Sequence, residues 1–597
     1  MARRLTRRSL LQSTSALPAL AAGTAPAGLP PWSGTVASAW ADASKAVVVA
    51  DMSLCQPASA LSAKARRAHW KVVPYEAGTL KGNMIWASVE TEAPPVRLPL
   101  GVQGWHAIFV GLKNDEGECL PKVWLKLDND RAPLLCEVSG RGIGIEEVFF
   151  KVADVKGEAL RIGQQSAGFS APAGLVYVKL IPLTGAEVTG LRADRQQAGR
   201  RRLAATIDGF SFIFFRKPTT EEELLAEVER YRDTDFGTLL LHMGGADWVN
   251  YPSRVGTMPG QDLEDFPRTG DRYYAEAVRE LARKGINPTK VLIAGAHDVG
   301  MKVHVGIRPA GWSFFEPISD MFSSRFYHEH PEWRSIDRDG TPVSRMSWAV
   351  PEVRAHLIAL LREAVELGAD GAHIVFNRGY PLVLYEPPVV ELFRKQHGVD
   401  PRNLDEEKDP RVRRLWSDVV TSFLRETRAM LDDVQTRRAG GKRLELSVMV
   451  LGNESDNLRY GGDVRRWVEE GLMDQIYSYK WDFGAKKRVD DIPFFTGICR
   501  PRKVSFYPSF TVDPPGYANP LQDAVSWYEQ GVDGLTFFDA NGMKPAHWAV
   551  FSRAGHVEEL QERARHAAPV PARPVQSRFH RLGGKVMDGR FPPYWGG

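Results

Sequence analysis

A chain of 597 residues is longer than one hydrophobic core usually fills, so two or three structural units are expected. Its 77 basic and 73 acidic side chains leave a formal charge of only +4, which gives no electrostatic footing for nucleic acid, while 43% hydrophobic residues suffice for a packed core. The four cysteines, Cys55, Cys119, Cys136 and Cys499, are too few for a disulfide framework and lack the close spacing of a structural zinc site; Cys119 and Cys136 could pair across neighbouring strands, with buried free thiols as the alternative.

At the N-terminus, basic residues precede an apolar run rich in small residues, and further small residues follow near 37–41. This order predicts a targeting segment over 1–41. Within it, Thr6-Arg7-Arg8-Ser9-Leu10-Leu11 resembles the twin-arginine export signal. The resemblance implies a bacterial protein that folds before it meets the twin-arginine translocon and then resides in the periplasm or outside the cell. Later in the chain no run of about 18 apolar residues predicts a transmembrane helix, so no integral membrane association is expected.

Residues 45–190 show short alternating apolar runs broken by turns, such as KVWLKL at 122–127 before Asp128-Asn129-Asp130, and LVYVKL at 175–180. Strands at this spacing predict an N-terminal β-sandwich. The stretch LRADRQQAGRRR at 191–202 reads as a solvated linker.

After Arg202, strands alternate with amphipathic helices, and eight strand candidates follow at 204–214, 238–242, 303–308, 371–377, 444–451, 474–478, 504–509 and 534–539. Thr220-Glu221-Glu222-Glu223 opens one helix, and Pro351 opens another that Gly368 closes. The pattern predicts a (β/α)8 TIM barrel over 203–566, with its site in the loops after the strands. An open doubly wound sheet would more often carry a glycine fingerprint after its first strand, where FFRKP stands instead. The tail 567–597 is Pro-rich and reads as irregular.

HPEW at 330–333, DRDG at 337–340, PEVR at 351–354 and DGAHIVFNR at 370–378 resemble, in that order, a region of bacterial glycosyl-hydrolase-like (β/α)8 barrels. GDVRRWVEEGLMD at 462–474 and GVDGLTFFD at 531–539 have the same character. The resemblance implies cleavage of a glycosidic bond by two carboxyl groups, one protonating the leaving oxygen and the other attacking the anomeric carbon or activating water. It also exposes a departure: where such strands carry an inward-facing aspartate, this chain has Val375. Side chains alternate, so His373, Val375 and Asn377 share one face.

Carboxylates remain at other strand ends. Glu454, after the fifth strand, is the expected general acid, with Asp539 or Asp482 as its partner. Asp208 and Asp513 are weaker candidates. His242, Asp247, Arg308, Trp312, His373, Asn377, Arg378, Glu386 and Tyr477 are expected to bind the sugar, since pyranose faces stack on aromatic rings and guanidinium holds hydroxyls and carboxylates. His328 and His330 lack a third ligand, so neither a metal nor another cofactor is expected. The alternative reading is a barrel that binds carbohydrate without cleaving it, Val375 marking the lost acid.

Overall fold

The computed structural model describes residues 43–115, 117, 119–140, 142–438, 442–480, 490–510, 520–566 and 577–587. The expected targeting segment and the candidates Asp482 and Asp513 lie outside the described residues.

Residues 47–182 form two β-sheets. The larger has the strand path Lys585–Val586, Arg581–Leu582, Trp70–Ala77, Leu80–Ala87, Ala173–Pro182, Trp105–Asn114 and Gly144–Asp154. The smaller orders Val96–Pro99, Ala159–Gln164, Lys122–Leu127 and Leu134–Glu137, antiparallel throughout. Alternate residues of both, including Leu98, Leu125 and Ile162 from the smaller and Ile85, Val110 and Val178 from the larger, meet in one buried apolar cluster. Period-2 alternation is what puts those side chains on facing surfaces. Cys119 is exposed, Cys136 is buried, and both are free thiols. The tail, expected to be irregular, returns residues 581–586 to this sheet as a hairpin, Leu582 pairing with Tyr75.

The described residues of 191–202 are exposed or half-buried, and the segment carries helical structure and ion pairs to the barrel. Helix Gly185–Arg195 opens with a capping box between Thr184 and Glu187. Asp194 at its end meets Arg553 at 3.0 Å and His556 at 2.7 Å, and Arg201 donates to the carbonyls of Phe236 and Val299. Its charges find partners on the barrel, which draws the segment down onto the protein.

All eight expected barrel strands form: β1 Leu203–Asp208, β2 Phe236–His242, β3 Lys302–Ile307, β4 Gly371–Val375, β5 Glu445–Leu451, β6 Gln475–Tyr479, β7 Ser505–Pro508 and β8 Leu535–Phe537. They lie parallel in the order β7-β6-β5-β4-β3-β2-β1-β8. A bridge between Ser509 and Thr536, with the Phe510 amide donating to the Thr536 carbonyl at 2.7 Å, brings the two edges together. Outward residues such as Ala205, Leu239, Val305, Ile374 and Val448 pack against the helices. Inward ones such as Ala204, Leu240, Met449 and Tyr477 form a separate axial cluster. These two faces are the period of a strand made into a closed wall. Among the described residues no helix is long and apolar enough to cross a membrane.

Candidate active site at the barrel mouth

Five of the eight strands, β1 to β4 and β8, carry at or near their ends the polar groups that define the site. β1 ends at Asp208, and Gly209 turns the chain beside β2: its amide donates to the His242 carbonyl at 2.7 Å, and a Cβ there would stand 2.5 Å from that oxygen. Only glycine fits so close an approach. Asp208 is in register with His242, His242 with Gly306, and Gly306 with His373. Because Gly306 offers no side chain, the imidazoles of His242 and His373 stack across it, with ring centres 5.6 Å apart and planes at 2°.

Arg308, just beyond β3, pairs with Asp208 at 3.3 Å. The Asp208 carboxylate also accepts the Phe210 amide and the Ser211 hydroxyl, each at 3.0 Å. Burial alone would raise its pKa, but the Arg308 guanidinium and these two donors hold it below the ordinary carboxylate value. Asp539, beyond β8, behaves oppositely. Protein crowds it on most sides while its tip opens to solvent, and desolvation together with the Asp208 charge raises its pKa against the pull of Arg308 and Arg378. Its backbone is left-handed at φ 50°, a conformation aspartate tolerates better than most residues, and its amide donates to Thr206 Oγ1 at 2.7 Å. Thr206 and Asp208 share one face of β1, so β1 holds both carboxyl groups in place.

Below the carboxylates, His242 and His373 are fully buried. Burial, and for His242 the charges of Arg308 and Arg378, push both pKa values well below that of free histidine, which leaves neutral imidazoles. His373 Nδ1 and His304 Nδ1 both meet Ser447 Oγ, at 2.8 and 2.9 Å, and His304 Nε2 meets Glu445 at 3.1 Å. This network fixes the ring of His373 from beneath. Arg378 is exposed and stands over the Phe538 ring at 5.2 Å.

The expected site residues divide sharply. Asp539, His242, Arg308, His373 and Arg378 come together, and Asp208 joins them as a principal member rather than a weak candidate. Glu454 does not: Asn453 caps the helix Glu454–Arg459, and the Glu454 carboxylate pairs with Arg465 of the next helix at 2.9 Å. Trp312 is fully buried beside the stacked rings of Phe326 and His356 and cannot stack on a ligand. Asp247 is buried too, and it accepts from Ser324 at 2.8 Å and faces His356 at 3.3 Å, holding the loop after β2. Glu386 sits at the N-terminus of helix Pro387–His397, accepting the Leu384 amide, and burial raises its pKa. Tyr477 lies in the axial cluster and donates to Gln475. Asn377 is buried in the short turn Phe376–Arg378. Val375 is fully buried, in register with Met449. Among the described residues no cluster of three or more histidine, cysteine or acidic side chains could hold a metal.

Asp208 and Asp539 border a cleft of about 1440 Å³ between the two-sheet unit and the barrel, whose walls include Phe169 of the former and Phe215 of the helix after β1. Both rings are exposed, at 44% and 54%, and their centres lie 5.9 Å apart.

No protein-family model matches the chain, and no curated protein does. Among solved structures it is similar to the catalytic domain of a β-amylase from Paenibacillus polymyxa, at 10% identity and a TM-score of 0.39 over 62% of this chain and 99% of that one. A β-galactosidase from Marinomonas ef1 gives 12% identity and a TM-score of 0.36, over 61% and 59% of the two chains. The PgaB glycoside hydrolase domain from Bordetella bronchiseptica gives 12% and 0.38, over 58% and 97%. Scores this low carry no weight for the chemistry of the mouth, which rests on the side chains themselves.

Proposed function

We propose that this chain is an exported glycoside hydrolase whose working carboxyl pair is Asp208 and Asp539. The observation that carries the reading is the division of that pair: two aspartates on adjoining strands at one barrel mouth, with environments that push their pKa values in opposite directions. A split of this kind assigns roles. Asp539, held toward its protonated form, donates to the leaving glycosidic oxygen. Asp208, held ionised by Arg308, acts on the anomeric carbon directly or through water. Asp539 thus keeps a place in the mechanism, and the acid moves from Glu454 to the mouth.

The rest of the mouth suits a sugar. Neutral His242 and His373 form a buried floor beneath the carboxylates without adding charge, and exposed Phe169 and Phe215 offer flat apolar faces for pyranose C–H groups along the cleft. On this reading the N-terminal sheets are a β-sandwich accessory unit that completes one wall of the cleft. Export rests on Arg7 and Arg8 and the apolar run after them. Val375 favours a second reading, a barrel that binds glycan without cutting it, because the fourth strand offers the mouth no acid.

Release of reducing ends from a panel of oligo- and polysaccharides separates the two. Cleavage by the wild type, reduced on the order of 100-fold or more in both Asp208→Asn and Asp539→Asn with unchanged melting temperature, is the expected result. Saturable glycan binding with no cleavage by the wild type would leave the non-catalytic reading standing.

A further inference from the structure

The same mouth sets two guanidinium groups beside its two carboxyls. Arg308 uses one guanidinium nitrogen on Asp208, while its Nε is buried with no hydrogen-bond partner among the described residues. Arg378 attracts Asp539 but forms no ion pair among the described residues; its guanidinium lies over Phe538, exposed to the mouth. Both ring nitrogens of fully buried His242, whose ring centre is 6.0 Å from that of Phe538, are likewise without partners there. Some arginines elsewhere are held in ion pairs, as Arg354 is by Glu426 and Arg338 by Glu406. Arg378 is left open to solvent at the mouth. It calls for an acceptor from outside the chain.

We propose that the mouth selects a sugar unit bearing an anion, a carboxylate or a sulfate ester, which Arg378 and Arg308 hold beside the scissile bond. The proposal rests on the reading of the mouth as a carbohydrate site, and it adds the class of sugar. Geometry supports it first: a planar guanidinium presents two parallel N–H groups that match the two oxygens of a carboxylate or sulfate, and Phe538 beneath Arg378 holds that plane toward the opening. Charge supports it second. Asp208 is paired with Arg308, while Arg378 lies near enough to attract Asp539 but forms no ion pair among the described residues, which leaves its donors open to an anionic sugar. A neutral sugar would leave the exposed Arg378 guanidinium without an anionic partner.

Calorimetric binding of size-matched oligosaccharides to Asp539→Asn, which the hydrolase reading makes silent, tests the proposal apart from cleavage. Three sets are compared: neutral glucans or galactans, oligouronates, and sulfated galactans. One anionic set should bind at least roughly tenfold more tightly than the neutral set, and that set names the anion as carboxylate or sulfate. The preference should shrink at high salt. Adding Arg378→Ala should remove roughly tenfold or more of the anionic affinity and leave neutral binding within a factor of about two. Arg378→Lys should keep part of it, and Arg283→Ala, on the outer surface, should change nothing. Equal affinity for neutral and anionic sets, or an Arg378→Ala loss shared equally by both, overturns the proposal. Cleavage confined to neutral glycans would keep the hydrolase and sink the anion site; tight anionic binding without cleavage by the wild type would do the reverse.

Discussion

Asp208 and Asp539 differ in what surrounds them, not in what they are. One is answered by Arg308, an amide and a hydroxyl; the other is crowded by protein yet partly open to solvent, left-handed at φ 50° and repelled by the first. The sign of the pH dependence follows. A base or nucleophile must be ionised, so activity falls on the acid side as Asp208 protonates, below the ordinary carboxylate range. A general acid must be protonated, so activity falls on the alkaline side as Asp539 ionises, above that range. A bell-shaped kcat profile with an acidic optimum is expected. Arg378 favours ionised Asp539, so Arg378→Gln should move the alkaline limb to higher pH while the acid limb stays in place. An unmoved alkaline limb, or movement of both limbs together, would show that Asp539 is not the group read there.

At the scale of strands, alternation made the barrel and much of its mouth legible. All eight strands stand where the hydrophobic runs put them, and the inward positions of His373, Val375 and Tyr477 follow from period 2 alone. What escaped was where β1 stops. The apolar run 204–214 reads as one strand, which places its end near Arg216, yet the chain turns at Gly209 and continues as helix Ser211–Arg216. Gly209 was the available signal, since it marks the close approach to His242 that leaves Asp208 at the tip. Loops hid the rest. Nothing in local pattern shows that Arg465 takes the Glu454 carboxylate, or that Trp312 turns inward onto Phe326, because both partners come from other elements. β4 bears its own prediction. Val375 is inward, fully buried and beside Met449, so Val375→Asp would place a carboxyl in an apolar pocket rather than restore a lost acid. It should destabilise by about 3 kcal/mol or more in urea unfolding and bring no gain in cleavage. A stable, more active variant would show that this slot opens to the mouth.

At the scale of the whole molecule, the cleft exists only while the two-sheet unit stays seated on the barrel. Exposed ion pairs such as Lys126 with Glu222 and Arg131 with Asp298 join the two units but contribute little each. The stronger fastening lies where the connecting helix meets the barrel. There His556, 3% exposed, stands between Asp235 at 2.7 Å and Asp194 at 2.7 Å, the latter carried by the helix that leaves the sheets. Burial works against its charged form, but the two carboxylates win and raise its pKa to about 9. With a folded pKa above the unfolded value of about 6.5, the stabilisation is complete below that value and is lost as pH rises toward 9. Counted once for the whole cluster, it amounts to at most about 3 kcal/mol. Thermal melts between pH 6 and pH 10 should therefore show the wild type losing stability from about pH 6.5 to about pH 9, while His556→Gln starts lower and changes less. Parallel curves would mean that histidine charge does not hold the connector. If instead the wild type converges on the variant near pH 9 and glycan binding weakens over the same interval, the seam and the cleft are one structural unit, and the sheets form a working wall of the site.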